Sequence, residues 1–111
     1  MFFRPKVPEI SADELARLRS GEDPPLVLDV REGWETEFAA LPGSMHIPMA
    51  EVPDALDRLP RDRMIVVLCH HGMRSAKVAG WLRGKGFDQA VNLAGGIDAW
   101  AREIDPTTGT Y

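Results

Sequence analysis

The chain has little of several features that define other classes of protein. It holds one cysteine in 111 residues, which excludes an intramolecular disulfide, a redox pair of cysteines and a zinc site built from several cysteines. Aromatic residues make up 7% of the sequence, and no apolar run approaches the roughly 20 residues that span a bilayer. We find no internal repeat and no low-complexity segment. The lone cysteine is therefore considered for its own chemistry rather than as part of a pair.

The charge is mildly acidic and evenly spread. The sequence has 13 Lys and Arg residues against 17 Asp and Glu residues, a net charge of -4. It lacks a stripe of basic residues interleaved with aromatics, so it does not resemble a nucleic-acid binder. Phe2 and Phe3 lie near the start, but the long apolar segment of a signal peptide does not follow them. We expect a cytoplasmic protein that binds neither nucleic acid nor membrane.

The length and the 44% apolar content suit one domain. We divide the chain into an N-terminal extension (1–9), one domain (10–104) and a C-terminal tail (105–111) to which the sequence assigns no role. The most apolar segments predict short strands that are buried on both faces of a parallel sheet. These segments are Leu26–Val30, Met64–Leu68 and Ala90–Leu93. Helices are predicted from Ser11 to Gly21 and over Glu51–Leu59, Ser75–Arg83 and Ile97–Glu103. This alternation predicts an α/β domain with a mainly parallel sheet.

The segment CHHGMRS, Cys69–Ser75, follows the best predicted strand. Sites in open α/β sheets lie just beyond the carboxyl ends of strands. A loop that leads from a strand into a helix turns its amides toward one centre, where they and the helix dipole favour an anion. Such a position favours a thiolate and lowers the pKa of Cys69. Gly72 suits a sharp turn, and Arg74 adds a permanent charge suited to oxyanions.

Two interpretations of Cys69 remain open on the residues alone. Cysteine is one of the most frequently buried residue types, so a lone cysteine at a strand end also fits a small core residue. The polar and basic residues that follow it favour a nucleophile, because a core residue does not need them. Ser75 fits either a helix cap or a hydrogen bond to the sulfur.

Three further segments surround this loop in the chain. They are Leu28–Glu32 with Glu35 after it, Gly43–Pro48 and Leu93–Trp100. Together with Cys69–Ser75 they resemble the D-V-R-x-x-x-E, G-x-x-H-I-P, C-x-x-G-x-R and G-G-x-x-A-W patterns of the rhodanese sulfurtransferases. The resemblance runs from Ile10 to about Trp100, and its four motifs stand in the family's order.

This resemblance implies a fold and a reaction. The fold is a single rhodanese-like domain with a mainly parallel five-stranded sheet and helices on both faces. In the reaction, Cys69 takes the outer sulfur of a donor such as thiosulfate, releases sulfite and becomes a persulfide. An acceptor, which is cyanide, a thiol or a protein, then removes that sulfur. The residues expected to bind the donor are His70, His71, Gly72, Met73, Arg74 and Ser75. No cofactor is implied, and we expect a monomer or a weak dimer.

Two other functions are weighed against this one. A persulfide carrier or protein-interaction module would keep the same cysteine but turn over poorly. A phosphatase or arsenate reductase of a related fold would carry a longer loop, whereas Cys69 to Arg74 spans six residues. The position after the cysteine is often basic in members of the family that use thiosulfate. Here it is His70, so the preferred donor depends on the charge of that imidazole.

Supporting residues are also predicted. Asp29, Arg31 and Glu35 are predicted to support the loop. Asp29 and Arg31, at the end of the first predicted strand, either orient the loop by pairing with Arg74 or Glu35 or form a structural ion pair. His46 is interpreted as a structural hydrogen-bonding residue. His70 and His71 with Cys69 lack the ligand spacing of zinc sites, so we predict no metal.

Overall fold

The computed structural model describes residues 7–111, so positions 1–6 of the predicted N-terminal extension, including Phe2 and Phe3, lie outside the described residues. The strands are β1 (Glu9–Ile10), β2 (Leu26–Asp29), β3 (Met45–His46), β4 (Ile65–Leu68) and β5 (Ala90–Leu93). The α-helices are α1 (Ala12–Arg19), α2 (Gly33–Phe38), α3 (Met73–Gly84) and α4 (Gly96–Glu103). Two 3-10 helices cover Met49–Arg58 and Pro106–Thr108.

The sheet has five strands in the order β1-β5-β4-β2-β3, and each neighbouring pair is parallel. This confirms the α/β fold with a parallel five-stranded sheet. The three predicted apolar strands form its centre, where β4 lies between β2 and β5. β1 was not predicted, because its two residues are too short to show a period. It joins the sheet edge by pairing Glu9 with Asn92 of β5.

Helices cover both faces of the sheet, because alternate strand residues point to opposite sides. On one side Val67 and Cys69 pack with α3 and the long 3-10 helix. On the other side Val66 and Leu68 pack with α1 and α4. Cys69 continues the alternation of β4 by one residue, so the fold fixes the side of the sheet on which its sulfur lies.

Local sequence signals correctly predicted the start of α1 but not the type of helix that forms around Pro53. Ser11 and Glu14 form the predicted capping box at the start of α1, since the Ser11 side chain accepts from the Glu14 amide at 3.1 Å. The predicted helix over Glu51–Leu59 is instead a 3-10 helix that contains Pro53. In the interior of an α-helix the proline ring would clash with the carbonyl of the residue four positions earlier, and this favours the 3-10 geometry here.

Two functional segments begin side by side at the carboxyl edge of the sheet. Asp29 at the end of β2 is in register with Leu68 at the end of β4, and the Val30 amide donates to the Leu68 carbonyl. The segment after β2 therefore runs beside the segment that starts at Cys69. Among residues 7–111, no helix combines the length and apolar character needed to cross a membrane.

Candidate active site

The sulfur of Cys69 lies at the centre of a ring of donors. The Gly72 amide lies 3.1 Å from Sγ, the Ser75 amide 3.3 Å and the Ser75 hydroxyl 3.2 Å. The thiol is 1% exposed and belongs to the buried residues of one core layer. Both interpretations of Cys69 therefore describe part of the geometry, because the residue is buried and its sulfur accepts hydrogen bonds that a core residue does not need.

These donors decide the protonation of the thiol. Burial raises the pKa of Cys69, but the hydrogen bonds from the Ser75 hydroxyl, the Ser75 and Gly72 amides and the Arg74 amide together outweigh it. The net result is a pKa below the ordinary value of the thiol. Hydrogen bonding to the charged form has this effect because it stabilises the thiolate selectively. The buried thiol is thus biased toward the thiolate, which is the reactive form of cysteine.

Gly72 and Gly96 let the loop close around the sulfur. Gly72 is the N-cap of α3 with φ +101°, and a Cβ there would lie 3.2 Å from the Gly95 amide nitrogen. Gly96 has φ +62°, and a Cβ there would lie 2.5 Å from the Cys69 carbonyl oxygen. The amides of Ile97 and Asp98 donate to the Cys69 and His70 carbonyls at 2.9 and 3.1 Å. The start of α4 therefore packs against the backbone of Cys69 and His70 and holds the loop in place.

Ser75 acts on the sulfur and is not the cap of α3, because the helix begins at Met73 rather than at Ser75. Its hydroxyl also lies 2.5 Å from Asn92 Oδ1. The Asn92 amide nitrogen donates to the Gly72 carbonyl at 3.0 Å. Asn92 thus holds the loop at two points. Sequence analysis did not select it, although a buried polar residue in the otherwise apolar strand β5 was an available signal.

Arg74 is held by Glu35. The two guanidinium nitrogens donate to the two carboxylate oxygens at 2.7 and 2.8 Å. The Arg74 side chain lowers the pKa of Glu35 to about 2, and Glu35 in turn raises the pKa of Arg74. The structure therefore pairs Glu35 of α2 with Arg74, a pair that the sequence analysis did not predict, and the Arg74 charge is partly balanced.

Asp29 and Arg31 form a separate buried ion pair. Arg31 donates to Asp29 through Nε at 2.9 Å and Nη2 at 2.7 Å, and its side chain is fully buried. His46, as predicted, is a hydrogen-bonding residue, with Nε2 2.7 Å from the Arg31 carbonyl oxygen. Of the two roles predicted for Asp29 and Arg31, their direct contacts match the structural ion pair.

His70 and His71 stack, with ring centroids 3.9 Å apart. Burial, followed by the charge of His71, lowers the pKa of His70 from its ordinary value and so favours the neutral imidazole. The ligand atoms of His70, His71 and Asp98 lie within 4.8 Å of one another, a spacing that a metal ion could use. The Asp98 carboxylate is already paired with Arg102 at 2.9 Å. The predicted absence of a metal stays a prediction.

A pocket of about 370 Å³ opens over the loop. Its lining residues are Cys69, His70, His71, Met73, Arg74 and Lys77. Lys77 is exposed one turn into α3 and was not predicted. Arg74 and Lys77 supply two cationic side chains at the pocket. A nucleophilic sulfur, converging amides and two cations form a site that suits covalent attack on a small anion.

The fold and this loop define an α/β domain with a buried cysteine at the centre of a strand-to-helix loop whose amides converge on its sulfur. The family model described as "Rhodanese-like domain" matches residues 11–103, and the chain belongs to that family. This confirms the family predicted from the four motifs.

Relatives and solved structures agree with this assignment. The chain is 32% identical over 96 residues to a protein of Allochromatium vinosum named "Sulfurtransferase", and the match covers 86% of this chain and 90% of that one. It is 39% identical over 89 residues to "Rhodanese-like/PpiC domain-containing protein 12, chloroplastic" of Arabidopsis thaliana, covering 77% of this chain and only 30% of the relative. The crystal structure of a rhodanese-like domain protein from Staphylococcus aureus has a TM-score of 0.81 and 35% identity, and the match covers 87% of this chain and 94% of that one.

Proposed function

We propose that this protein is a sulfurtransferase that moves a sulfane sulfur from thiosulfate, or a similar anionic donor, to a thiophilic acceptor through a persulfide on Cys69. The observation that carries the proposal is the ring of donors around Sγ together with the lowered pKa of the thiol. The name of the Allochromatium vinosum relative supports the same activity.

The first step consumes the donor. The Cys69 thiolate attacks the outer sulfur of thiosulfate, the bond between the two thiosulfate sulfurs breaks, and sulfite leaves with the electron pair. Cys69 then carries one additional sulfur with a negative charge on the terminal atom. We propose that amides of this loop stabilise the persulfide charge, which is supported by the contacts of the Gly72 and Ser75 amides with Sγ in the free protein. Arg74 and Lys77 at the pocket favour an anionic donor.

The second step restores the enzyme. The acceptor, which is cyanide, a thiol or a protein thiolate, attacks the terminal sulfur, and the sulfur–sulfur bond to Cys69 breaks. The sulfur leaves bonded to the acceptor, and the Cys69 thiolate returns. Because the persulfide itself stores the sulfur, we propose that neither a metal nor an organic cofactor takes part. A cytoplasmic location, the absence of nucleic-acid or membrane partners and a monomeric or weakly dimeric state remain predictions.

Mass spectrometry after thiosulfate treatment tests the proposal. We expect a gain of one sulfur on the Cys69 peptide, rapid discharge by cyanide, and loss of both in Cys69→Ser and Cys69→Ala. Near wild-type transfer by either variant would overturn it. The control Thr36→Ala removes an exposed hydroxyl that bonds the Gly33 carbonyl and should transfer sulfur normally.

The same experiment separates the other functions. A sulfur that loads on Cys69 but does not discharge to cyanide or to a small thiol would identify a carrier instead of an enzyme. A protein that gains no sulfur on Cys69 would be neither a sulfurtransferase nor a persulfide carrier. Hydrolysis of an aryl phosphate at a rate above that of sulfur transfer would favour the phosphatase alternative.

A further inference from the structure

The C-terminal tail, residues 105–111, folds back to the active site. Asp105 caps its short 3-10 helix by accepting from the Thr107 amide at 3.0 Å. Gly109 then turns the chain with φ +88°, and a Cβ there would lie 3.1 Å from the Phe38 carbonyl oxygen. This turn and close approach deliver the Tyr111 side chain to the residues behind the catalytic loop.

The Tyr111 hydroxyl bridges two charged residues. It accepts from Arg31 Nη1 at 3.0 Å and donates to Glu35 Oε1 at 2.8 Å. The same Glu35 oxygen accepts from Arg74 at 2.8 Å. One hydroxyl therefore connects the buried Asp29–Arg31 pair to the arginine that ends the loop. This bridge adds a side-chain link to the direct contact between the two ion pairs, in which Arg31 Nη1 donates to the Glu35 carbonyl oxygen at 3.4 Å.

The Tyr111 ring contacts the other end of the loop. It stacks on the His70 imidazole with centroids 3.8 Å apart and planes within 7°. Phe38 lies parallel to Tyr111 with centroids 6.1 Å apart, and Trp34 meets it edge-on at 6.3 Å. His70 follows Cys69 directly, so the ring packs beside the residue next to the nucleophile.

We propose that Tyr111 is a positioning residue, which holds His70 and Arg74 in place so that the loop receives an anionic sulfur donor. His70 and Arg74 line the pocket, and Tyr111 supports both of them from behind. The hydroxyl positions Arg74 through Glu35, and the ring positions His70 directly. This inference rests on the proposed function, because it assigns Tyr111 to sulfur transfer.

Two variants distinguish the hydrogen bonds of the Tyr111 hydroxyl from the stacking of its ring on His70. Tyr111→Phe keeps the ring and removes the hydroxyl, whereas Tyr111→Leu removes both. The control Thr110→Ala alters the exposed neighbour in the same tail. We measure the rate of Cys69 alkylation by anionic iodoacetate relative to neutral iodoacetamide, because this ratio reports the attraction of an anion. A uniform change in thiol reactivity scales both rates and leaves the ratio unchanged. Because unfolding would expose the buried Cys69 thiol to both reagents, the ratios are compared at equal folded fraction, measured by circular dichroism.

The ratio should fall about 3- to 10-fold in Tyr111→Phe, the effect of one hydrogen bond, and further in Tyr111→Leu. The KM for thiosulfate should rise by a similar factor, with kcat changing less. In NMR spectra, the His70 ring protons should lose their ring-current shift in Tyr111→Leu and keep it in Tyr111→Phe. Thr110→Ala should match the wild type in all three measurements.

An unchanged alkylation ratio in Tyr111→Leu, or an equal fall in Thr110→Ala, would overturn the role of Tyr111. An unchanged His70 spectrum in Tyr111→Leu would overturn the stacking contact. If the wild type transfers no sulfur from thiosulfate, the proposed function fails. The alkylation ratio and the His70 spectrum still decide the positioning role, because neither measurement depends on sulfur transfer.

Discussion

At the scale of the residue, the Ser75 hydroxyl has one proton and two neighbours that accept it. It lies 3.2 Å from Cys69 Sγ and 2.5 Å from Asn92 Oδ1. When Cys69 is a thiolate, the hydroxyl donates to the sulfur. When Cys69 is a thiol, its S–H donates to the Ser75 oxygen, and the hydroxyl donates to Asn92. The position of this proton is therefore coupled to the charge of the nucleophile.

Replacing Ser75 by Ala should raise the pKa of Cys69, because the thiolate loses the hydrogen bond from the Ser75 hydroxyl while the two amides remain. The pH profile of iodoacetamide alkylation measures this pKa. In the wild type, the thiolate forms below the ordinary pKa of cysteine, and in Ser75→Ala the midpoint should move to higher pH. Thr36→Ala should leave the midpoint in place. A midpoint that stays or falls in Ser75→Ala would show that the amides alone lower the pKa.

Residue types alone favoured a nucleophile at Cys69, but they did not select Asn92 or assign a role to Tyr111. Cys69, Gly72 and Arg74 stand together in the sequence, so a local pattern was enough to select them. Asn92 lies 17 residues from Ser75, and Tyr111 lies 76 residues from Glu35. Contacts over such separations depend on strand order and on the path of the tail, and neither is visible in local residue patterns.

At the scale of the element, the start of α4 forms the surface on which the catalytic loop rests. Its amides donate to the Cys69 and His70 carbonyls, and Gly96 touches the same backbone. The Gly95–Gly96 pair is therefore part of the site although it follows a different strand. Parallel strands place their following loops at one edge, which brings the loops after β4 and β5 together.

Replacing Gly96 by Ala should lower the free energy of unfolding by about 2–4 kcal/mol. The new Cβ would overlap the loop backbone, and φ +62° is unfavourable for a residue with a side chain. Because the displaced backbone includes Cys69, sulfur transfer should also fall more than stability alone explains. Urea unfolding and persulfide formation at equal folded fraction measure the two effects.

The matched control is Gly84→Ala, at the end of α3, where a Cβ meets no atom within 4 Å and φ is not positive. This variant should be as stable as the wild type or slightly more so. Equal behaviour of the two glycine variants would contradict the supporting role of α4.

At the scale of the whole molecule, one polar network joins parts of the chain that are distant in sequence. Glu35 of α2 binds Arg74 of α3 and the Tyr111 hydroxyl of the tail. The Arg74 guanidinium lowers the pKa of Glu35 to about 2. A carboxylate with a lowered pKa stabilises the folded state above its unfolded pKa, and this stabilisation is lost as the pH falls through the folded value.

Glu35→Gln should therefore lose about 1–2 kcal/mol of stability at pH 7, a figure reduced for the partial exposure of Arg74. Between pH 5 and pH 2 the wild type should lose stability more steeply than the variant, because only the wild type protonates Glu35. Urea unfolding at pH 7, 5 and 3 measures the difference. Glu37→Gln, an exposed substitution in the same helix, should follow the wild-type pH dependence. Parallel curves for Glu35→Gln and the wild type would contradict the role of the network.

The chain order of apolar and polar residues was enough to predict the α/β class, the three central strands, the capping box of α1 and the loop that begins at Cys69. Each of these depends on residues close together in the chain, where spacing and hydrophobicity act directly. The remaining features needed the folded chain. The two-residue strand β1, the 3-10 geometry around Pro53, the Asn92 bond to Ser75 and the return of Tyr111 to His70 all depend on which segments meet in space. The pKa of His70 belongs with them, because it depends on burial and on the side chains packed around the imidazole.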